Sequence, residues 1–251
     1  MKAIVTGASS GIGRDFAYLL VSRGYTVVAV ARRTERLEQL KKELGDKIEI
    51  YTADLSVESE CFNLYEKYKD EKIDVFINNA GFGIFGKFTE TDLKRELEMI
   101  KTNVTAVHIL TKLFVKKFKK QNSGYILNVA SIAGFMAGPL LSSYYASKAY
   151  VLRLTEAIKS ELKADGCNVS VSVLCPGPVK TEFDSVANVT FSLRGLDSRY
   201  VANYALKKMF KGKTVIIPGI TVKILKFLSR FAPENILTEI THKCQRKKQG
   251  L

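Results

Sequence analysis

A glycine-rich turn near the start of the chain constrains the fold more than any other feature of the sequence. The apolar run KAIVTG is followed by Ala-Ser-Ser-Gly-Ile-Gly, and helical periodicity begins at about Arg14. Backbone without Cβ atoms lets N–H groups approach a phosphate, which also gains from the positive end of the following helix. The turn therefore predicts a dinucleotide pyrophosphate site formed by Gly7, Ser9, Ser10, Gly11, Ile12 and Gly13.

The spacing of these glycines excludes one common use of such a turn. It is Gly-x-x-x-Gly-x-Gly without a following Lys-Ser or Lys-Thr pair, so nucleoside triphosphate hydrolysis is disfavoured. A tight strand-to-helix connection without a ligand is the alternative.

The rest of the chain alternates apolar β-branched runs with amphipathic helical segments. Continuous apolar strands, each followed by a helix, indicate a parallel sheet covered on both faces. With 251 residues and 46% apolar content, we predict a single α/β domain over residues 1–251, a doubly wound Rossmann-type sheet. We assign residues 181–203 to a substrate loop and residues 219–251 to a basic, amphipathic helical C-terminal extension.

Further motifs follow the glycine turn in a fixed order. They are Asp54-Leu55, Asn78-Asn79-Ala80-Gly81, Asn103, Ser131, Tyr144 with Lys148, and Pro176-Gly177-Pro178-Val179-Lys180-Thr181. This order resembles the short-chain dehydrogenase/reductase family over roughly residues 1–181. The resemblance implies nicotinamide cofactor contacts from Asp54, Leu55, Asn79, Ala80, Gly81, Tyr144, Lys148, Pro176, Gly177, Val179 and Thr181.

The end of the second strand bears on the choice of nicotinamide cofactor. An NAD site would place a carboxylate near Ala31, whereas this chain continues with Arg32 and Arg33. A guanidinium matches the charge and geometry of a 2′-phosphate. We therefore predict NADP(H), with Arg32 the surer contact. The alternative is that both arginines begin a solvated helix and pair with Glu35 and Glu38.

Context distinguishes the reacting tyrosine from three others. Tyr-x-x-x-Lys also occurs at Tyr65, Tyr68 and Tyr204, which we assign to solvated helix faces. Only Tyr144 follows a serine, Ser131, that ends an apolar strand. Tyr144 and Lys148 share one helix face, and an ammonium there favours tyrosinate.

The resemblance implies a role for each member of this centre. Tyr144 would exchange a proton with the substrate oxygen, Ser131 would hydrogen-bond that oxygen, Lys148 would hold the ribose, and Asn103 would position a water. We expect an enzyme acting on a CH–OH group, with a non-catalytic dinucleotide sensor or structural Rossmann protein as the alternative. His108 and His242, the chain's two histidines, are assigned to core or surface rather than to hydrolysis.

The expected substrate is an apolar ketone or secondary alcohol, such as a hydroxysteroid, a 3-ketoacyl derivative or a hydrophobic carbonyl. The residues expected to face it are Phe82, Phe135, Met136, Phe183, Phe191 and Leu193. The tail pattern VIIPG…FLSRFAPENIL resembles a subgroup of bacterial oxidoreductases, hydroxysteroid dehydrogenases and 3-ketoacyl reductases. The resemblance to this family implies that the protein forms a homodimer or homotetramer.

Basic charge is concentrated at the C-terminal end. Of the net charge of +14, residues 194–251 carry 13 Lys and Arg against 3 Asp and Glu. The segment ITVKILKFLSRFA places Lys223, Lys226 and Arg230 along one stripe, and we favour a pocket cap or subunit contact over peripheral membrane contact. QRKKQGL is expected to be a frayed tail.

Several other classes are disfavoured. Aromatic-interleaved basic strands and a DNA-reading helix are absent from the pattern, so we expect no nucleic acid partner. Four scattered cysteines suggest neither a metal site nor disulfides, with Cys175 in the core. Met1 leads directly into the first strand without a signal-like segment, so a cytoplasmic location is expected.

Overall fold

In the part of the chain that the structure describes, seven parallel strands form one sheet in the order β3-β2-β1-β4-β5-β6-β7. The computed structural model describes residues 1–183, 195–229 and 231–246. The strands are β1 (Lys2–Thr6), β2 (Thr26–Ala31), β3 (Ile48–Thr52), β4 (Val75–Asn78), β5 (Gly124–Val129), β6 (Val169–Leu174) and β7 (Val215–Ile216). The predicted doubly wound α/β fold is confirmed.

Helices cover both faces of the sheet. Those in the described ranges are α1 (Gly11–Val21), α2 (Thr34–Leu44), α3 (Glu58–Tyr68), α4 (Leu93–Ile100), α5 (Val107–Gln121), α6 (Ser142–Ala164), α7 (Ser198–Met209), α8 (Ile220–Leu228) and α9 (Glu234–Arg246). A π-helical turn over Lys101–Ala106 joins α4 to α5, and short 3-10 helices span Gly45–Lys47 and Ile132–Phe135. None of the helices in these ranges is long and apolar enough to cross a bilayer.

Consecutive residues of β1 pack into different cores. Val5 is buried with Phe16 of α1 in the cluster on one side of the sheet. Ile4 is buried with Phe114 of α5 in the cluster on the other side. Side chains alternate across a strand, so a strand buried on both faces must be apolar throughout. This is the physical reason for the continuous apolar runs.

The order of the strands in the sheet indicates where a ligand would bind. β1 lies between β2 and β4, so the chain reverses its direction of travel across the sheet beside β1. Ligands of open α/β sheets bind at the carboxyl ends of the strands at such a point. Thr6 and Asn78 end the two strands there.

The C-terminal extension contains one helix that the sequence predicted and one that it did not. The amphipathic segment forms α8, and α9 follows it. The prediction of a frayed tail is wrong for Gln245 and Arg246, which end α9. Gln245 is only 2% exposed, and its buried amide donates to the hydroxyl of Tyr145, 100 positions away. Residues 247–251 lie outside the described ranges.

Candidate active site

Hydrogen bonds tie the end of β4 to the glycine-rich turn. The hydroxyl of Thr6 accepts from the backbone N–H groups of Asn79 and Ala80, at 2.9 and 3.0 Å. The side-chain amide of Asn79 donates to the carbonyl of Thr6 at 3.0 Å. The predicted cofactor residues 79–81 therefore border the predicted pyrophosphate turn.

The glycines of the turn allow contacts that side chains would block. A Cβ on Gly13 would lie 2.1 Å from the carbonyl oxygen of Gly7, and one on Gly11 would lie 2.9 Å from Cγ2 of Thr181. Helix α1 begins at Gly11, earlier than the predicted start near Arg14, and the Ser10 side chain does not cap it. The first-turn N–H groups thus face the turn, a cradle that fits a pyrophosphate.

Arg33 lies against this cradle. Its guanidinium donates to the hydroxyls of Ser9 and Ser10 at 3.1 and 3.0 Å. Arg32 instead pairs with Asp54 at 3.7 Å. The structure therefore brings Arg33 to the turn, whereas the sequence made Arg32 the surer contact.

The carboxylate of Glu182, which follows the segment after β6, also reaches Arg33. Glu182 accepts from Arg33 at 3.0 Å and also from Arg36. Sequence reasoning missed Glu182 because nothing local to it shows a pairing with residues almost 150 positions earlier. The ion pairs seen at Arg32 and Arg33 differ from the partners Glu35 and Glu38 that the solvated-helix alternative required.

The remaining predicted cofactor residues line the same edge of the sheet. The carboxylate of Asp54 accepts from the backbone and hydroxyl of Ser56, while Leu55 is buried in the core. The segment after β6 is held by two backbone contacts: the carbonyl of Pro176 accepts from Ile132, and Val179 bridges to Leu196. The segment reaches the turn at Thr181, which lies beside Gly11.

The four residues of the predicted reacting centre come together at the ends of β5 and α6. Ser131 lies two residues beyond the end of β5. Its hydroxyl accepts from the N–H of Ala133 at 3.2 Å and is near enough to Tyr144 to oppose the rise in the pKa of that tyrosine. Lys148 lies one turn along α6, with Nζ 5.7 Å from the centroid of the Tyr144 ring. Its ammonium donates to the carbonyl of Val129 at 3.0 Å.

Asn103 is fixed by the loop after β4. It lies in the π-helical turn, a feature common at functional sites. Its side chain exchanges two hydrogen bonds with the backbone of Phe82, at 2.8 and 3.1 Å. A Cβ on Gly81 would lie 2.7 Å from Oδ1 of Asn103 and 3.3 Å from Nζ of Lys148. Asn103 and Lys148 therefore face the same space.

Ser147 is a positioning residue that sequence reasoning missed. Its hydroxyl accepts from the Asn103 amide at 3.1 Å and donates to the carbonyl of Tyr144 at 2.7 Å. It thereby joins the π-helical turn to the helix that carries Tyr144. The signal was available, since Ser147 lies within Tyr-x-x-x-Lys.

Burial dominates the titration of this centre. It raises the pKa of Tyr144 above its ordinary value, although the Ser131 hydroxyl opposes this, and it lowers the pKa of Lys148 to about 8. The expectation that the Lys148 ammonium pulls the Tyr144 pKa toward neutrality is therefore wrong for this structure. Desolvation disfavours both charged forms, and the Lys148 ammonium is directed at a carbonyl.

The substrate side of Tyr144 is apolar. Phe183 lies 5.3 Å from the Tyr144 ring between centroids, and Phe82 packs in the same cluster. Of the other residues expected there, Phe135 packs instead against a different buried cluster, which Val222 of α8 also covers, and Met136 contacts Thr241 of α9. Phe191 and Leu193 lie outside the described residues.

Of the other residues assigned from the sequence, some lie where they were expected and one does not. His108 bonds the Tyr150 hydroxyl at 2.7 Å, His242 is exposed, and Cys175 is buried, as expected. The assignment of Tyr68 to a solvated face is wrong. Tyr68 is fully buried, and its hydroxyl donates to Glu49 at 2.5 Å. Its hydroxyl end reaches a charged partner while its ring fills the core between β3 and α3.

Comparison with known proteins identifies relatives of similar length. The family model described as short chain dehydrogenase matches residues 1–190. An uncharacterized oxidoreductase of Staphylococcus saprophyticus is 31% identical over 227 residues, which cover 88% of this chain and 96% of the relative. The residues that the family model matches span every motif from Gly7 to Thr181.

Solved structures share the fold over nearly the whole chain. A short-chain dehydrogenase from Sphingobium yanoikuyae in complex with NADPH is 28% identical with a TM-score of 0.83, covering 94% of each chain. A short-chain dehydrogenase/reductase from Burkholderia phymatum in complex with NAD is 24% identical, with a TM-score of 0.83 and coverage of 90% and 92%. The second likeness concerns the fold alone. The matched family model shows that the chain belongs to the short-chain dehydrogenase/reductase family of nicotinamide-dependent oxidoreductases.

Proposed function

We propose that the protein transfers hydride between NADP(H) and an apolar ketone or secondary alcohol, with Tyr144 as acid and base. The placement of Ser131 beside Tyr144, with Lys148 one turn along α6, carries this proposal. It brings a proton donor beside a second hydroxyl that can bind the same substrate oxygen.

The chain's own groups account for the proton side of the reaction. When bound, the nicotinamide supplies a hydride to the carbonyl carbon. The Tyr144 hydroxyl gives its proton to the carbonyl oxygen, and Ser131 hydrogen-bonds that oxygen. Lys148 and Asn103 face the space beside Gly81, where they would hold the ribose and a water that returns the proton. The reverse reaction oxidises the alcohol and returns the proton to Tyr144.

Arg33 supports the choice of NADP(H). A guanidinium bonded to two hydroxyls at the edge of the pyrophosphate turn offers the planar donors that a 2′-phosphate favours. Solved relatives of this fold hold either NADPH or NAD, so the fold itself does not decide the cofactor.

The substrate class follows from what surrounds Tyr144. The partly buried side chains packed there are Phe82, Ile84, Phe85, Tyr145 and Phe183. They offer apolar and aromatic surface to a bulky ketone.

The test is oxidation of NADPH, followed at 340 nm with NADH in parallel, against keto-steroids, 3-ketoacyl thioesters and hydrophobic aldehydes. Turnover with one class and a preference for NADPH is expected. A tenfold preference for NADH would overturn the cofactor assignment. Tight NADPH binding without turnover of any substrate would favour the dinucleotide sensor.

We further propose that the protein is a homodimer or homotetramer. Helix α4 exposes Leu93, Leu97 and Ile100, spaced on one face, and such a stripe is usually covered by another subunit. Leu97→Glu should lower the mass measured by light scattering, whereas Phe62→Glu on α3 should not. A cytoplasmic location also stays a prediction, tested by fractionation of cells.

A further inference from the structure

Helix α8 exposes an apolar stripe on the side that faces away from the protein. Ile220, Ile224 and Phe227 are spaced by four and three residues, and Phe231 continues the stripe one turn later. Ile220 is 75% exposed and Phe231 is 73% exposed. On the opposite side of the helix, Val222 packs against the core and lies close to Gly177.

Helix α9 has its polar side inward. The residues it buries are Thr241 and Gln245, which contact Met136 and Tyr145. Its apolar Ile236 and Ile240 are about half exposed. The exposed side of α9 also carries charge, because Glu239 and Lys243 form an ion pair there, so the apolar surface is confined to α8 and Phe231.

The two helices are anchored on one loop beside the active site. Lys226 of α8 lies over the ring of Phe135 at 5.2 Å, and α9 contacts the next residue, Met136. We call the exposed residues Ile220, Ile224, Phe227 and Phe231 the C-terminal apolar face; the rings of Phe227 and Phe231 are in contact.

The charge around the C-terminal apolar face distinguishes between a second copy of the chain and a lipid surface as its partner. Exposed Lys223 lies beside the stripe of α8, whereas Lys226 is turned inward over Phe135. Residues 194–251 carry 13 basic against 3 acidic residues. A second copy packed face to face would bring this positive charge against itself. Anionic lipid instead matches both parts, because phosphates pair with the ammonium groups while the apolar stripe enters the acyl boundary.

We propose that the C-terminal apolar face docks the protein on an anionic bilayer. Because Lys226 of α8 lies over Phe135, in the turn that follows Ser131, the docked helix adjoins the active site. An apolar substrate dissolved in the bilayer would then enter from the lipid side. This last consequence rests on the proposed substrate class, whereas docking itself does not.

The chain contains no tryptophan, which permits a direct test. Phe231→Trp places a single fluorophore on the C-terminal apolar face, and Phe62→Trp places a matched one on α3, where Phe62 is exposed. Each variant is titrated with vesicles of phosphatidylcholine containing 30% phosphatidylglycerol, and with pure phosphatidylcholine vesicles.

We expect the emission of the Phe231→Trp variant to shift to the blue with the anionic vesicles and to be quenched by brominated acyl chains. The emission of the Phe62→Trp variant should not change. Binding should weaken at least tenfold in pure phosphatidylcholine or in 0.5 M salt. Ile224→Glu in the Phe231→Trp background should abolish the shift and leave NADPH oxidation with a water-soluble ketone intact.

Two results would overturn the proposal. One is an emission of the Phe231→Trp variant that anionic vesicles leave unchanged. The other is a blue shift that depends on protein concentration without vesicles, together with a mass that Phe231→Glu halves, since this assigns the face to a second copy. Vesicle binding is read without turnover, so its failure is distinct from failure of the proposed reaction.

Discussion

Arg33 donates a hydrogen bond of 3.0 Å to Glu182, which lies 149 positions later in the chain. The hydrogen bond from Arg36 is the largest cause holding the pKa of Glu182 below its ordinary value, so this carboxylate is ionised at neutral pH. A negative group thus occupies Arg33, to which our proposal assigns the 2′-phosphate. Cofactor and carboxylate compete for this guanidinium, which couples cofactor binding to the segment after Thr181.

Removing the charge of Glu182 should strengthen NADPH binding. The ion pairs are partly exposed, so we expect Glu182→Gln to lower KM for NADPH about two- to fivefold and to leave KM for NADH unchanged. Glu43→Gln is the matched control, because Glu43 pairs with Arg14 on the outer side of α1. A rise in KM for NADH would show instead that Glu182 binds a ribose hydroxyl.

Replacing the two arginines should separate their roles. Arg33→Gln removes the guanidinium that bonds Ser9 and Ser10, and should raise KM for NADPH about tenfold or more with little change for NADH. Arg32→Gln, which removes the partner of Asp54, should have a smaller effect. Steady-state kinetics with both cofactors measure this, and equal losses for NADPH and NADH would contradict a phosphate-binding role.

The sequence predicted the parts of the site that depend on local pattern. At the strand-to-helix turn, Gly13 is required by a close contact with the Gly7 backbone and Gly11 by its positive φ. Tyr144 is identified by its place after an apolar strand. Glu182 and Gln245 were missed because their partners are distant in the chain. No periodicity reports which carboxylate reaches Arg33, or that α9 buries an amide rather than an isoleucine. The pKa of Tyr144 was predicted to shift in the wrong direction, because an argument from two residues on one helix face takes no account of burial.

Tyr144 and its neighbour Tyr145 provide a paired test of catalysis. Tyr144→Phe removes the proton donor and should lower kcat about 10²- to 10⁴-fold while NADPH still binds. Tyr145→Phe removes only a hydroxyl bonded to Gln245, so we expect less than a tenfold change in kcat. Both are measured by single-turnover oxidation of NADPH and by fluorescence titration of the cofactor. Comparable kcat values for wild type and Tyr144→Phe would reject Tyr144 as the acid.

The raised pKa of Tyr144 determines how the rates of ketone reduction and alcohol oxidation depend on pH. Burial raises this pKa, so the neutral hydroxyl needed for ketone reduction persists above neutral pH. Alcohol oxidation needs the tyrosinate, which forms only as the pH rises. We therefore expect the oxidation rate to increase with pH through the alkaline range while the reduction rate does not. Parallel profiles of kcat/KM in both directions test this, and an oxidation rate that falls with rising pH would contradict it.

Lys148 should leave a signature in the stability of the cofactor-free protein. Burial lowers its pKa from the ordinary value of 10.5 to about 8. Between these values the unfolded chain binds a proton that the folded chain has released, so the free energy of unfolding rises with pH in this window. Below pH 8 both states are protonated, and the buried ammonium costs up to about 3 kcal/mol of stability, since one pKa unit corresponds to about 1.4 kcal/mol.

Lys148→Met isolates this contribution. The difference in free energy of unfolding, wild type minus variant, should increase as the pH is raised from 8 to 10, and should stay constant between pH 6 and 7. Urea unfolding followed by circular dichroism measures both proteins at each pH, and subtraction removes the tyrosines and cysteines that titrate in the same range. A difference that is flat or falls with pH would mean that Lys148 keeps its proton in the folded state, with Val129 as a sufficient partner for the charge.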